Sequence, residues 1–302
     1  MLETKIVSAM DKCFLHQTPS DFAEIRSLRM YKNEKAAIQL LVYDGESSGR
    51  AVRHLRFEAE GALSPYVKIL AVENIPNYLP THVTPDKAIS ADPTFLNGAK
   101  PGLYPDLLHP LVHDGCYPLC QMQLRSMWFE FNPCENLEPG VYETKLRITT
   151  KDGIYLKEEI IPIEILPASL PEANHICTTW FYADCLADYY EVEPFSDRHF
   201  EICENFIKTA VENGNNMILT PVFTPPLDTA QGGERTTTQL IGVTVENGKY
   251  TFDFSLFDRW VAMCTRCGIE YFEISHLFTQ WGALHAPKIM ATVDGEYKRL
   301  FG

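Results

Sequence analysis

The sequence predicts a multi-domain α and β chain. An N-terminal immunoglobulin-like β-sandwich over 1–167 is followed, over 168–302, by the first βα units of an incomplete TIM (β/α)8 barrel. Three observations predict it. Up to Pro167, short β-branched and aromatic runs alternate with turn signals, with no long helical period between them. The stretch 167–174, PASLPEAN, is rich in Pro and Ala and reads as a linker. Beyond it the pattern becomes strand, helix, strand, helix, strand, a rhythm that builds parallel strands through right-handed crossovers.

In the first half the strand candidates are AAIQLLVYD, AVRHLRFEAE, YVKILAVEN, MQLRSMWFEFN, GVYETKLRITT and YLKEEIIPIEIL. Asp44-Gly45, Pro139-Gly140 and Lys151-Asp152-Gly153 punctuate them as turns. Alternation is clearest where Tyr142, Thr144, Leu146 and Ile148 stand against Val141, Glu143, Lys145 and Arg147. Between Asn74 and Leu119 the chain is dense in Pro, Gly and His. It reads as a long irregular excursion that packs on the second domain.

In the second half HICTTWFYADC reads as a strand and SDRHFEICENFIKTAVENGNN as a helix. Ser196 is the expected N-cap, with Asp197 in the first turn. Phe200, Cys203, Phe206, Ile207, Ala210 and Val211 form one apolar stripe, and Gly214 supplies the stop. NMILTPVFTPP is the second strand, followed by a polar, Gly-containing insertion, DTAQGGERTTTQ. VTVENGKYTFDF reads as a hairpin about Asn247-Gly248. Ser255 is expected to open the next helix, with Asp258 completing a capping box. Phe257, Trp260, Val261, Cys264 and Cys267 are its apolar face and Gly268 its end. IEYFEIS is the third strand. No G-x-G-x-x-G or Walker loop follows any of these strands. Their loops are long and aromatic, which favours a barrel with its site on the loops after the strands.

The formal net charge of −14 argues against nucleic acid or anionic membrane partners. No apolar run reaches the ~20 residues of a membrane span, and the N-terminus has no signal-peptide core. A cytoplasmic location is therefore expected. The nine cysteines, odd in number and scattered, suit reduced thiols. Cys264 and Cys267 lie in a helical pattern and read as small hydrophobes. His109, His113 and Asp114 could serve a metal hydrolase, but Pro110 and the surrounding YPDLLHPLVHDG argue for a loop rather than a helix presenting both rings. No metal or other cofactor is expected.

The ends of the three second-half strands share a bias. The first offers Trp180, Tyr182 and Asp184, expected on one alternation phase facing the barrel mouth. The second offers Phe223 among threonines and prolines. The third offers Glu273, His276 and Phe278, with Gln280 and Trp281 beyond. Taken singly, a Trp or Phe at a strand end most often packs. Together, aromatic faces for sugar C–H groups and Asp, His or Gln for hydroxyls suit a carbohydrate. A buried Glu273 would need a partner.

The segments WFYADCLADYY, FIKTAVENGNNMILTPVFTPPLDT, GGERTTTQL and YFEISHLFTQWGALHAPKIMATVDGEYKRLFG resemble the catalytic-domain family called domain of unknown function 4091, allied to glycoside hydrolase family 123. The resemblance covers essentially all of the second half. The first half resembles the β-sandwich domain that precedes that barrel. It implies an enzyme acting on β-linked N-acetylhexosamine, such as an N-acetyl-β-galactosaminide, by substrate-assisted retention. It also implies a catalytic pair formed by adjacent Asp and Glu at a later strand end. No Asp-Glu dipeptide occurs in the chain, and 168–302 is shorter than the ~250 residues of a whole barrel. The expectation is thus a fragment whose acidic pair lies after Gly302 and which is inactive alone. The alternative is a non-catalytic carbohydrate-binding protein.

Overall fold

The computed structural model describes residues 2–45, 52–77, 101–111, 115–171, 174–226, 233–278, 283 and 285–302. They form two compact units, Met1–Glu172 and Ala173–Gly302.

The first unit is built of strands: β1 (Leu2–Ser8), β2 (Leu28–Tyr31), β3 (Ala36–Asp44), β4 (Val52–Glu60), β5 (Val67–Asn77), β6 (Gly102–Pro110), β7 (Cys116–Cys120), β8 (Arg125–Phe131), β9 (Gly140–Thr150) and β10 (Tyr155–Leu166). They make two five-stranded sheets, ordered β1-β3-β8-β5-β6 and β2-β10-β9-β4-β7. Both sheets supply one core. Ile38, Leu40, Met127 and Phe129 come from the first, and Leu55, Phe57, Ile148 and Ile163 from the second. The period-2 pattern explains this: in β9, Thr144, Leu146 and Ile148 are buried while Glu143 and Lys145 are exposed. Each large side chain so buried contributes roughly 1.5–3 kcal/mol.

The expected irregular excursion between Asn74 and Leu119 is partly strand. β6 pairs antiparallel with β5 from Leu70↔Pro110 to Asn77↔Gly102, and β7 pairs with β4. Local propensity hides β6, because GLYPDLLHP carries two prolines. Such a strand is tolerated at a sheet edge, which is where β6 lies.

The second unit contains β11 (Thr178–Thr179), α1 (Ala183–Tyr189), α2 (Asp197–Glu212), β12 (Met217–Thr220), β13 (Gly242–Glu246), β14 (Lys249–Asp253), α3 (Ser255–Cys267), β15 (Tyr271–Ile274), β16 (Ile289–Val293) and β17 (Glu296–Phe301). β11, β12 and β15 form a three-stranded parallel sheet in sequential order. Ser196 caps α2 by accepting from His199 N–H. Gly268 ends α3 with φ 106°, a left-handed conformation that costs glycine no Cβ clash. Phe200, Cys203 and Ile207 of α2 pack with Trp260, Met263 and Cys264 of α3 over Ile218 of β12.

Four expectations for this unit need correction. The first strand is two residues long, and the chain turns helical at Ala183. Ala183, Leu186 and Ala187 recur at helical spacing, and Asp184 in the first turn suits the positive end of the helix dipole. Asp184 therefore does not continue a strand alternation with Trp180 and Tyr182. The N-cap of α3 is Phe254, not Ser255. Asp253 instead accepts from the Ser255 N–H and hydroxyl, holding the turn from outside the helix. Phe206 is exposed rather than part of the buried stripe. Finally, β16 and β17 form an unanticipated hairpin beside β13. Its turn, Asp294-Gly295, has φ 47° and 89°, as Asn247-Gly248 has 49° and 75°. Both are Asx-Gly pairs suited to a tight two-residue hairpin.

Candidate functional site

The site builds from the carboxyl ends of β11 and β15, neighbours of β12 in the parallel sheet. Trp180 follows β11 and Glu273 lies within β15. The Trp180 indole Nε1–H donates to Glu273, 3.3 Å from Oε1 and 3.2 Å from Oε2. This is a charge-assisted bond, and it is the partner that a half-buried Glu273 requires. His276 stands two residues past β15, its ring edge-on to Trp180 at 5.8 Å and 81°. Its Nδ1 is buried with no hydrogen-bond partner among the described residues. Trp180 itself remains 41% exposed. Indole face, oriented carboxylate and unpaired imidazole nitrogen thus converge. The exposed indole can stack on an apolar ring face and the half-buried carboxylate can accept from a hydroxyl, while His276 backs the indole edge-on with its Nδ1 sealed from solvent.

A second group lies at α1. Asp184 is buried, and Arg235 grips it in a two-point ion pair, Nε to Oδ2 at 2.6 Å and Nη2 to Oδ1 at 2.9 Å. The guanidinium carbon stands 4.4 Å from the Tyr182 ring centroid, a cation–π contact. Burial works against the Arg235 charge, but the bonds and charge of Asp184 outweigh it and hold the guanidinium pKa above its ordinary value. Thr236 adds a bond to Asp188 at 2.6 Å, and Lys288 Nζ donates to the Arg235 carbonyl.

This α1 group is braced from behind by His199 of α2. His199 is fully buried, Nδ1 accepting from Phe195 N–H at 2.8 Å and Nε2–H donating to the Ala183 carbonyl at 2.9 Å. Burial pushes its pKa down, against the raising pull of the Ala183 bond and of Asp184.

The structure therefore brings Trp180, Glu273 and His276 together and gathers Tyr182 and Asp184 about Arg235. Phe223 packs against Val243, Val245 and Ala291, and its carbonyl accepts from Ser275 Oγ at 3.2 Å. Phe278 is exposed. Trp281 lies outside the described residues, as do His113 and Asp114. Among the described residues no three His, Cys, Asp or Glu side chains gather as a metal would require. Arg235 escaped the sequence reading. Its signal was one arginine in the otherwise polar GGERTTTQ insertion of an acidic chain.

Residues 180–301 match the model of the family described as glycoside hydrolase 123, catalytic domain. No curated protein matches the chain. Among solved structures, the chain is similar to a family 123 glycoside hydrolase from Clostridium perfringens, described for glycolipid glycan hydrolysis. The TM-score is 0.73 at 14% identity, covering 100% of this chain and 53% of that one. The chain thus spans about half the length of that structure, and the likeness shows a shared fold. A putative membrane anchored protein from Corynebacterium diphtheriae aligns at a TM-score of 0.26 and 12% identity, over 57% of this chain and 37% of that one, and carries no argument.

Proposed function

We propose that this chain, glycoside hydrolase family 123-like over residues 180–301, is part of a glycosidase and forms one rim of its sugar site. The observation that carries the reading is the convergence of Trp180, Glu273 and His276 at neighbouring strand ends. In this reading Trp180 stacks on a sugar ring, Glu273 accepts from a hydroxyl, and the His276 ring holds the indole edge-on from behind. Tyr182 and Asp184, gathered about Arg235, form a second group that braces α1 beyond β11. Phe278, exposed beyond β15, offers a further aromatic face; Trp281 lies outside the described residues.

The substrate is a β-linked N-acetylhexosamine, N-acetyl-β-galactosaminide-like, on a glycan such as a glycolipid carries. The route is substrate-assisted retention. The acetamido oxygen attacks the anomeric carbon, one carboxylate stabilises the oxazolinium, and a neighbouring carboxylic acid protonates the leaving oxygen. No Asp-Glu dipeptide occurs in these 302 residues, so the catalytic pair belongs to sequence outside them. The parallel strands are then the first βα units of a barrel, and the two-sheet unit an immunoglobulin-like sandwich before it. All nine cysteines are free thiols, which suits a cytoplasmic setting.

The test pairs binding with turnover. This chain is expected to bind N-acetylgalactosamine, to lose that binding in Trp180→Ala, and to leave a chromogenic N-acetyl-β-galactosaminide intact. Enzyme-like turnover by the chain alone would overturn the external pair. Undiminished binding in Trp180→Ala would overturn the site. The missing dipeptide also supports a second reading, a non-catalytic glycan binder. A longer form that carries an Asp-Glu pair and still hydrolyses nothing would favour it.

A further inference from the structure

β14 stands at one edge of the four-stranded sheet β14-β13-β16-β17, and all of its residues are exposed. Among the described residues no strand pairs with its outer side. The tight turn at Asn247-Gly248 fixes which backbone groups face that side. In such a hairpin the residues flanking the turn, Glu246 and Lys249, exchange hydrogen bonds, and the cross-strand pairs then alternate. Lys249, Thr251 and Asp253 therefore use their N–H and C=O groups on β13. Those of Tyr250 and Phe252 point outward from the sheet.

The side chains divide by face. Tyr250 and Phe252 lie opposite Val245 and Val243, on the face that those valines bury with Ala291. The valines are buried, yet Tyr250 and Phe252 are 50% and 54% exposed. The cover of this apolar face thus stops one strand short of the edge. Lys249, Thr251 and Asp253 occupy the other face. An open aromatic edge is a template for strand addition, and an edge lysine ordinarily guards against it. Here an acid at the far end of the same strand answers the lysine. Bonds from the Ser255 N–H and hydroxyl hold the Asp253 carboxyl below its ordinary range, so it is charged at neutral pH.

The stretch KYTFD is consequently complementary to itself. Set antiparallel against its own copy about a twofold axis at Thr251, Lys249 faces Asp253, Tyr250 faces Phe252 and Thr251 faces Thr251. The backbone phase agrees. The Tyr250–Phe252 pairs carry the outward N–H and C=O groups and can exchange bonds in both directions. Lys249–Asp253 and Thr251–Thr251 fall at the positions between those bonds, where side chains approach most closely. A parallel arrangement would instead set like charges side by side.

We infer that β14 is a self-association edge, where a second copy of this chain adds its own β14 antiparallel and continues the sheet through a twofold axis at Thr251. The edge shares no residue with the strand-end site, so either assignment can fail alone. The patch is far smaller than the ~800 Å² per partner of a standard interface, so the dimer is weak and forms at high concentration. Sedimentation velocity of the whole chain, from micromolar to millimolar concentration, is expected to show a reversible monomer–dimer equilibrium. Lys249→Glu makes both charged pairs repulsive and is expected to raise the dissociation constant about tenfold. Asp253 is left in place because it holds the turn into α3. Tyr250→Thr combined with Phe252→Thr keeps strand-forming residues and is expected to abolish the dimer. Oxidation locates the contact. The axis sets the two Thr251 Cα atoms ~4.5 Å apart, within disulfide reach. Thr251→Cys is therefore expected to cross-link to its own copy at that position, identified by peptide mapping. Tyr297→Cys, exposed on the opposite edge strand, is not. A chain that stays monomeric at every concentration overturns the inference and leaves β14 to a different partner. So does a dimer that Lys249→Glu leaves at full strength, or one in which Thr251→Cys forms no such link.

Discussion

Trp180 and Glu273, 93 residues apart, meet through one indole N–H shared between both carboxylate oxygens, at 3.2 and 3.3 Å. The bond fixes the carboxylate and the ring plane together. It also brackets the parallel sheet, because Trp180 follows its first strand and Glu273 belongs to its last.

Removing that carboxylate frees the indole to rotate. Glu273→Ala is expected to weaken N-acetylgalactosamine binding about tenfold, by loss of one charge-assisted bond and of ring alignment. The melting temperature should change little, because the pair is half-exposed. Calorimetric titration checks it, and unchanged affinity would remove Glu273 from the site.

The Arg235–Asp184 pair carries the opposite expectation. Its side chains are 12% and 4% exposed, so Arg235→Ala strands a buried carboxylate. The cost is about 3 kcal/mol in urea unfolding. Adding Asp184→Asn to that variant should recover part of the loss. If Arg235→Ala unfolds like the parent, the ion pair does not hold α1.

His199 makes stability depend on pH. Its folded pKa is depressed by burial, so the unfolded chain takes up the proton first. Stability is then full above the ordinary histidine value of about 6.5 and is lost as pH falls below it toward the folded pKa. Protonation would also set two donors, Nδ1–H and Phe195 N–H, against each other. Asp184 and the Cys203 thiol are the titratable neighbours. The urea midpoint should drop between pH 7.5 and 5.5. The drop should shrink in His199→Gln, whose amide can both donate and accept. Parallel losses in the two proteins would assign the effect to another group.

In the first unit, Gly61 has φ +114°, and a Cβ there would stand 2.6 Å from the Glu143 carbonyl oxygen. Gly153, at φ +82°, has nothing within 4 Å of that position. Gly61→Ala is expected to cost about 2–3 kcal/mol and Gly153→Ala about 1 kcal/mol. Equal midpoints for the two variants would mean that the backbone around Glu143 yields freely.

Much of the second unit was legible because its signals are local. Ser196, Gly268 and Asn247-Gly248 act through their own backbone neighbourhood, so a cap, a stop and a turn can be read from a few residues. Asp294-Gly295 carries the same kind of local signal. Ser255 misled because a serine before an acidic residue imitates a cap, while the bond that forms runs to Asp253 on its other side. The stripe of α2 misled at Phe206, because periodicity marks an apolar position and only packing decides whether it is covered.

The sequence alone determined the change from sheet-forming to alternating strand and helix grammar, the three parallel strands and the residues at their ends. These follow from periodicity, propensity and turn chemistry, which act over a few residues. The tertiary structure decided which of those ends meet. Trp180 reaches Glu273 and His276, whereas Asp184, only four residues on, turns away on a helix to Arg235. It also made an edge strand of the proline-bearing β6 and left the Trp128 indole without a partner among the described residues. These outcomes depend on contacts between residues distant in sequence, where burial makes an ion pair or an unmade hydrogen bond worth several times its value in water, and no local pattern encodes that choice.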